Sequence, residues 1–266
     1  MTTLAFRLLL FLALAVALVF LTLPVAAIFV DVGPSELVSR LDDPASLDAL
    51  RLSLETTLLA LGVIVLAGTP AAYLLATRSF RGRAIVLTLI ELPLILPPAA
   101  AGVGLLAALG PNGIVGPALD SAGIRLPLTT AGVVVALVFV SSPFYLRQAA
   151  SAFASLDPAL LEASSTLGAA EPRTFARVAV PLSAPALATG AALAWGRALG
   201  EFGATLMFAG SFRGVTQTAP LAIFEFLGTD FDASLALAAV LVAVSGALLL
   251  ALKLVGPTEV RLPALR

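Results

Sequence analysis

Cysteine and histidine are both missing from the 266 residues, lysine occurs once, at Lys253, and charged side chains make up only 12% of the chain. Without cysteine there is no disulfide, thiolate nucleophile or thiolate metal site. Without histidine there is no histidine-dependent triad, no ordinary zinc site and no imidazole proton relay. No convincing pair of nucleophile and base is left, so the chain is read as a non-enzyme. A phosphate loop of the form G-x-x-x-x-G-K-[ST] needs a lysine set among glycines, but Lys253 lies between Leu252 and Leu254. A nucleotide, if one is used, must therefore bind another chain. The net charge of -1, with no basic stripe, gives no basis for nucleic-acid binding.

Apolar sequence is what the chain has in excess. Hydrophobic residues make up 60% and mean hydropathy is +1.07, whereas an ordinary soluble domain carries about 25% charged residues. The expected fold is all-α and polytopic, with membrane lipid as its surroundings. Six stretches are long enough to cross a bilayer, at 8–30, 52–76, 84–109, 129–146, 181–208 and 234–255. Arg7 and the Val25-Ala26-Ala27 run give the first a likeness to a secretory signal, but its apolar run is too long for one. Arg7, Arg78, Arg81, Arg83, Arg147, Arg173, Arg177, Lys253, Arg261 and Arg266 collect on one side, against Arg40, Arg51, Arg125 and Arg213 on the other. The positive-inside rule then puts both termini in the cytoplasm. The outer loops are acidic, with Asp31, Glu36, Asp42, Asp43 and Asp48 in the first and Glu225, Asp230 and Asp232 in the last. They are candidates to meet an external partner, although a solvated face is the simpler reading of each charge.

Between the fourth and fifth spans lies a polar elbow, 157–181. Asp157-Pro158 reads as an N-cap followed by proline at the first helical position, Gly168 suits a helix end, and Glu171-Pro172 can open a second short helix that Pro181 ends. Arg173 and Arg177 stand beside Phe175 and Val178 at helical spacing, so charged and apolar groups would be presented together to another protein. Glu162-Ala163-Ser164, Gly168 after three intervening residues, and then Phe175, Val178 and Pro181 resemble the E-A-A loop of permease subunits of type I binding-protein-dependent ABC importers. Ser164 stands where that pattern has a second alanine, and Val180-Pro181 where it has Leu-Pro. The resemblance implies that Glu162, Ala163, Ser164, Gly168, Arg173, Phe175 and Arg177 form a coupling helix docked on a cytoplasmic ATPase. It further implies two ATPase copies, a second copy of this chain, an extracytoplasmic oxyanion-binding protein, and ATP and magnesium used by the ATPase with no cofactor on this chain. The setting is a prokaryotic inner membrane.

Two further segments interrupt apolar spans. Arg197 and Glu201 sit four residues apart, and charges at membrane depth mark a path or a mutual pair. Both readings are open: a gate lining, or a structural ion pair. Gly196 and Gly200 form a G-x-x-x-G step, and with Gly203 offer a small face for close helix packing. Glu91, Pro93, Pro97 and Pro98 put a carboxylate and three prolines into the third span, lining a path or setting a packing kink. The Arg-Ala-Leu-Gly-Glu-Phe-Gly-Ala-Thr run from Arg197 and the Leu-Pro-Leu-Ile-Leu-Pro-Pro run from Leu92 resemble molybdate, tungstate and sulfate permeases, most of all those for molybdate.

The resemblance covers roughly 53–255, leaving 1–52 as a first span with its loop and 256–266 as a cytoplasmic tail. It implies ATP-driven import of molybdate or tungstate by alternating access, with a sulfate or thiosulfate permease as the alternative. From another class, Glu91 or Glu201 could serve an ion-coupled secondary transporter.

Overall fold

The computed structural model describes residues 3–31, 33, 39–40 and 42–255; Glu36, Arg261, Arg266 and the 256–266 tail lie outside them. Among the described residues all regular structure is helical. In chain order the helices are α1 (Thr3–Asp31), α2 (Pro44–Thr77), α3 (Arg83–Ile95), α4 (Pro98–Leu109), α5 (Gly116–Ser121), α6 (Thr130–Ala154), α7 (Pro158–Thr166) and α8 (Glu171–Thr174). A π turn (Phe175–Ala179) follows, then α9 (Val180–Leu199), α10 (Gly203–Ala209), α11 (Ala219–Phe226) and α12 (Phe231–Val255). Five helical stretches are long and apolar enough to cross a membrane, or six if the bent pair α3–α4 counts as one span.

Helix α6 is the centre, packing against α2, α3, α4, α9 and α10. Its Tyr145 is 1% exposed. A Cβ at Gly68 of α2 would lie 2.9 Å from the Tyr145 ring, and one at Gly190 of α9 would lie 3.3 Å from it. Glycine on both neighbours is what lets the phenol ring enter. Buried Ala60, Ala72, Ala136, Ala149 and Ala194 continue the small-residue packing expected where lipid supplies no hydrophobic drive between helices. Several polar groups inside the bundle are paired, as a low-dielectric surround favours, while the buried hydroxyls of Ser46, Ser141, Ser183, Thr205 and Thr218 have no hydrogen-bond partner among the described residues. The Thr69 and Tyr145 hydroxyls are 2.6 Å apart, the Trp195 indole N–H donates to the Thr57 hydroxyl at 3.1 Å, and the Ser53 hydroxyl accepts from the Ala219 amide at 2.6 Å. Helix α1, exposed along nearly its whole length, lies at the edge against α12.

Three expectations about the spans are corrected. Helix α2 starts at Pro44, with the Asp43 side chain accepting from the Ala45 amide at 3.2 Å. That start is ahead of the expected 52, so the division between 1–52 and 53–255 falls inside a helix. The third span, 84–109, is not one helix: α3 and α4 meet at 120°. Leu96 and Pro97 are extended there, and the adjacent Pro97 and Pro98 remove two consecutive donors from the ladder. Pro93, by contrast, is accommodated inside α3. The fifth span, 181–208, is broken as well: α9 ends at Leu199, and α10 begins at Gly203.

The two pieces beyond these breaks pack on each other. A Cβ at Gly203 would lie 2.8 Å from Pro98 Cβ, and one at Gly102 would lie 2.6 Å from the Ala204 carbonyl oxygen. By contrast, a Cβ at Gly104, on the same helix, would meet nothing within 4 Å. Gly102→Ala is therefore expected to destabilise the chain by about 1–3 kcal/mol through overpacking, against the usual helix-propensity gain, while Gly104→Ala should be neutral or stabilising. Thermal unfolding of the two variants in detergent checks this, and equal melting temperatures would contradict the close contact.

Candidate functional site

The elbow forms as its local chemistry dictates. Asp157 Oδ1 accepts from the Ala159 amide at 2.9 Å, Pro158 occupies the first turn, and α7 runs to Thr166. Gly168 takes φ +80°, with its amide donating to Ser165 O at 2.9 Å and the Ala169 amide to Ser164 O at 3.1 Å. These are the paired bonds of a Schellman stop, and the left-handed residue they require is a glycine. Helix α8 then opens at Glu171. Pro181 does not end it, contrary to expectation. The Val180 amide donates to Phe175 O, an i to i−5 bond, and the widened π turn carries the helix past the proline into α9. Since Pro181 lacks a donor and its ring would crowd an α-helical carbonyl, a local π turn is the relief that keeps the path unbroken.

Side chains tie the two helices of the elbow to each other and to the bundle. The Ser164 and Thr174 hydroxyls are 2.8 Å apart. Arg78 donates to both Glu171 oxygens at 2.8 Å, and that hydrogen bond, with the charge behind it, raises the guanidinium above its ordinary pKa. Phe175 packs with Tyr73 at 5.0 Å and Phe153 at 6.3 Å between ring centroids. The sequence pattern put Phe175 on the docking surface; its ring lies inward, in an aromatic cluster, because three rings from three segments bury more together than one does in water. Glu162, Ala163, Arg173 and Arg177 are exposed. The apolar part of the exposed surface comes from residues the sequence reading passed over: Leu167, 87% exposed, and Leu160, 45% exposed. Their signal was present as a seven-residue spacing from α7 to its C-cap, with Leu161 turned to the core.

At the break in the fifth span, Arg197 and Glu201 meet at 2.5 Å, with the Glu201 side chain 1% exposed and that of Arg197 27%. They are joined across a helix end, not along one continuous face. Glu201 also accepts the Ala204 amide at 2.7 Å, capping α10. The cation sits at the negative end of α9 and the anion at the positive end of α10, so both helix dipoles favour the arrangement. Within one chain, Gly196 and Gly200 make no close helix approach. A Cβ at Gly196 would touch Leu248 at an ordinary 3.4 Å, and Gly200 is the cap where α9 stops, with no other helix against it. Gly203 alone of the three makes the close approach, with the unforeseen Gly102 as its counterpart.

Glu91 does not stand alone. It faces Arg147 across α3 and α6 at 3.4 Å, with side-chain exposures of 45% and 63%. Pro97 and Pro98 lie exposed at the bend, and Pro93 is half-buried within α3. The acidic loop residues expected to face outward are likewise engaged within the chain: Asp230 with Arg40 at 2.6 Å, Asp48 with Arg213 at 3.2 Å, and Glu225 with Gln217.

Residues 64–255 match the family described as the inner membrane component of binding-protein-dependent transport systems. The chain is 41% identical over 235 residues to the molybdenum transport system permease protein ModB of Mycobacterium tuberculosis, covering 88% of each. It is 37% identical over 247 residues to a probable transport system permease protein, NifC, of Clostridium pasteurianum, covering 92% of this chain and 86% of that one. Among solved structures it superposes with a TM-score of 0.72 and 18% identity on a chain of a bacterial ABC transporter that imports alginate, over 94% of this chain and 93% of the other. At that identity the likeness shows the fold. The chain is a multi-pass protein of the inner membrane, and it belongs to the family of inner membrane components of binding-protein-dependent transport systems.

Proposed function

We propose that this chain is the permease subunit of an ATP-driven importer and moves molybdate, or the similar tungstate dianion, by alternating access. The likeness to ModB over 88% of the chain carries the substrate assignment. The elbow supports the mechanism: its inner side is fixed by Phe175, Thr174 and Glu171, while Leu160, Leu167, Glu162, Arg173 and Arg177 face outward together. The elbow and both chain termini lie in the cytoplasm, where two ATPase copies dock on two elbows contributed by two copies of this chain. An extracytoplasmic binding protein delivers the anion. ATP and magnesium are used by the ATPase, and this chain contributes no covalent chemistry.

ATP binding draws the ATPases and their elbows together. The motion reaches the breaks at Pro97 and Gly200, where helix pieces can re-angle without unravelling an intact ladder. Glu91, Pro93, Pro97, Pro98, Arg197 and Glu201 border the path. Arg197 and Glu201 keep it closed as a pair, because a carboxylate held against the guanidinium disfavours an anion there. Gradient coupling has weaker support, since Glu91 and Glu201 each already face an arginine.

Vesicles holding this chain, its ATPase and the binding protein should take up molybdate only with ATP inside the ATPase compartment. Uptake driven by a proton or sodium gradient without the ATPase would overturn the reading. A second test uses Gly168, whose φ of +80° no β-branched residue adopts readily and around which a Cβ would meet nothing. Gly168→Val should insert normally yet lose co-purification with the ATPase; undiminished co-purification would count against elbow docking.

A further inference from the structure

We propose that Arg147, Gln148 and Ser151 form a binding site for a tetrahedral oxyanion, with Glu91 as the counter-charge that the anion displaces. This rests on the oxyanion-permease reading and adds to it a specific place where the anion pauses before release.

The three residues share a cavity of about 320 Å³ between α3 and α6, walled by Leu94 and Phe144. Phe144, Arg147, Gln148 and Ser151 follow the i, i+3, i+4, i+7 spacing that puts them on one stripe of α6. A guanidinium, a carboxamide and a hydroxyl thus stack over about 6 Å of helix, which matches the reach of one oxyanion. Together they offer many hydrogen-bond donors, and no carboxylate lines the cavity. Gln148 is held in place from behind: a Cβ at Gly190 would lie 3.0 Å from its Cβ and 3.1 Å from its Cγ.

Glu91 is the competitor. Its contact with Arg147 is a single approach to Nε at 3.4 Å, looser than Arg197–Glu201 at 2.5 Å or Arg78–Glu171 at 2.8 Å. Such an arrangement leaves the two terminal guanidinium nitrogens for an oxyanion, which accepts charge-assisted bonds from that fork. Arg147 is largely exposed and Glu91 half-buried, so exchanging partners costs only modest desolvation. Arg147 lies about 10 Å along α6 from its elbow end, on the side where an importer releases its cargo. The pull of Glu91 then keeps affinity low and favours departure.

The test uses the assembled transporter, nucleotide-free in lipid nanodiscs, with radiolabelled molybdate as the probe and sulfate as competitor. Arg147→Gln should weaken binding by about tenfold or more, the loss expected for a charge-assisted contact, and Glu91→Gln should strengthen it by about threefold or more. Since the chain has no cysteine, Ser151→Cys gives an independent readout. Its labelling by a charged thiol reagent, followed on this subunit, should be slowed by molybdate even if Arg147→Gln fails to assemble. Unchanged binding in the Arg147 and Glu91 variants, or labelling that molybdate does not slow, overturns the site. If the wild type still imports molybdate with ATP in that case, the permease reading stands; if the wild type imports no oxyanion, that reading falls and the site falls with it.

Discussion

An unbroken helical path from Glu171 to Leu199 is the constraint on which the rest of the structure depends. It comprises 29 residues, a rod of about 43 Å. One end is the polar elbow, and the other carries Arg197 at the break before α10. Two prolines lie in it: the π turn carries the chain past Pro181, and Pro185 is absorbed inside α9. An α-helix interrupted there would act as a hinge and leave the elbow free to move without the bundle. Because the path is continuous, displacement of the elbow is displacement of the far end.

The far end is built to respond. In lipid, helix breaks survive only where protein satisfies the freed backbone. Here two breaks share one place: Pro98 and Gly203 touch, Gly102 makes room for Ala204, and Glu201 caps α10 while holding Arg197. Removing either partner of that pair would strand a charge, so the pair is more a lock on geometry than a source of stability. Tyr145, lodged between Gly68 and Gly190, fixes the rod to the centre of the bundle between its two ends.

What could be read from the sequence followed how local the chemistry was. Caps and stops are decided within four or five residues, so Asp157, Gly168 and Glu171 were placed correctly. Membrane spans were found by composition, but composition does not register a bend, and 84–109 and 181–208 each passed as one span. Proline alone was ambiguous, since Pro93 is absorbed inside a helix whereas adjacent Pro97 and Pro98 are not. The G-x-x-x-G spacing at Gly196 and Gly200 gave no hint that the helix stops at the second glycine. Gly102 belongs to no motif, and its role exists only opposite Ala204, about a hundred residues away in the chain. Phe175 looked like a surface group because neither Tyr73 nor Phe153 is near it in sequence.

The absence of cysteine makes the mechanical claim directly measurable. Spin labels at Leu167→Cys, on the elbow, and at Ala100→Cys, on α4 beside the break, would report distances between the two copies of the chain in the proposed assembly. ATP binding should shorten the elbow distance and change the Ala100 distance in the same titration, with one midpoint. An elbow that moves while the Ala100 distance stays fixed would contradict the account.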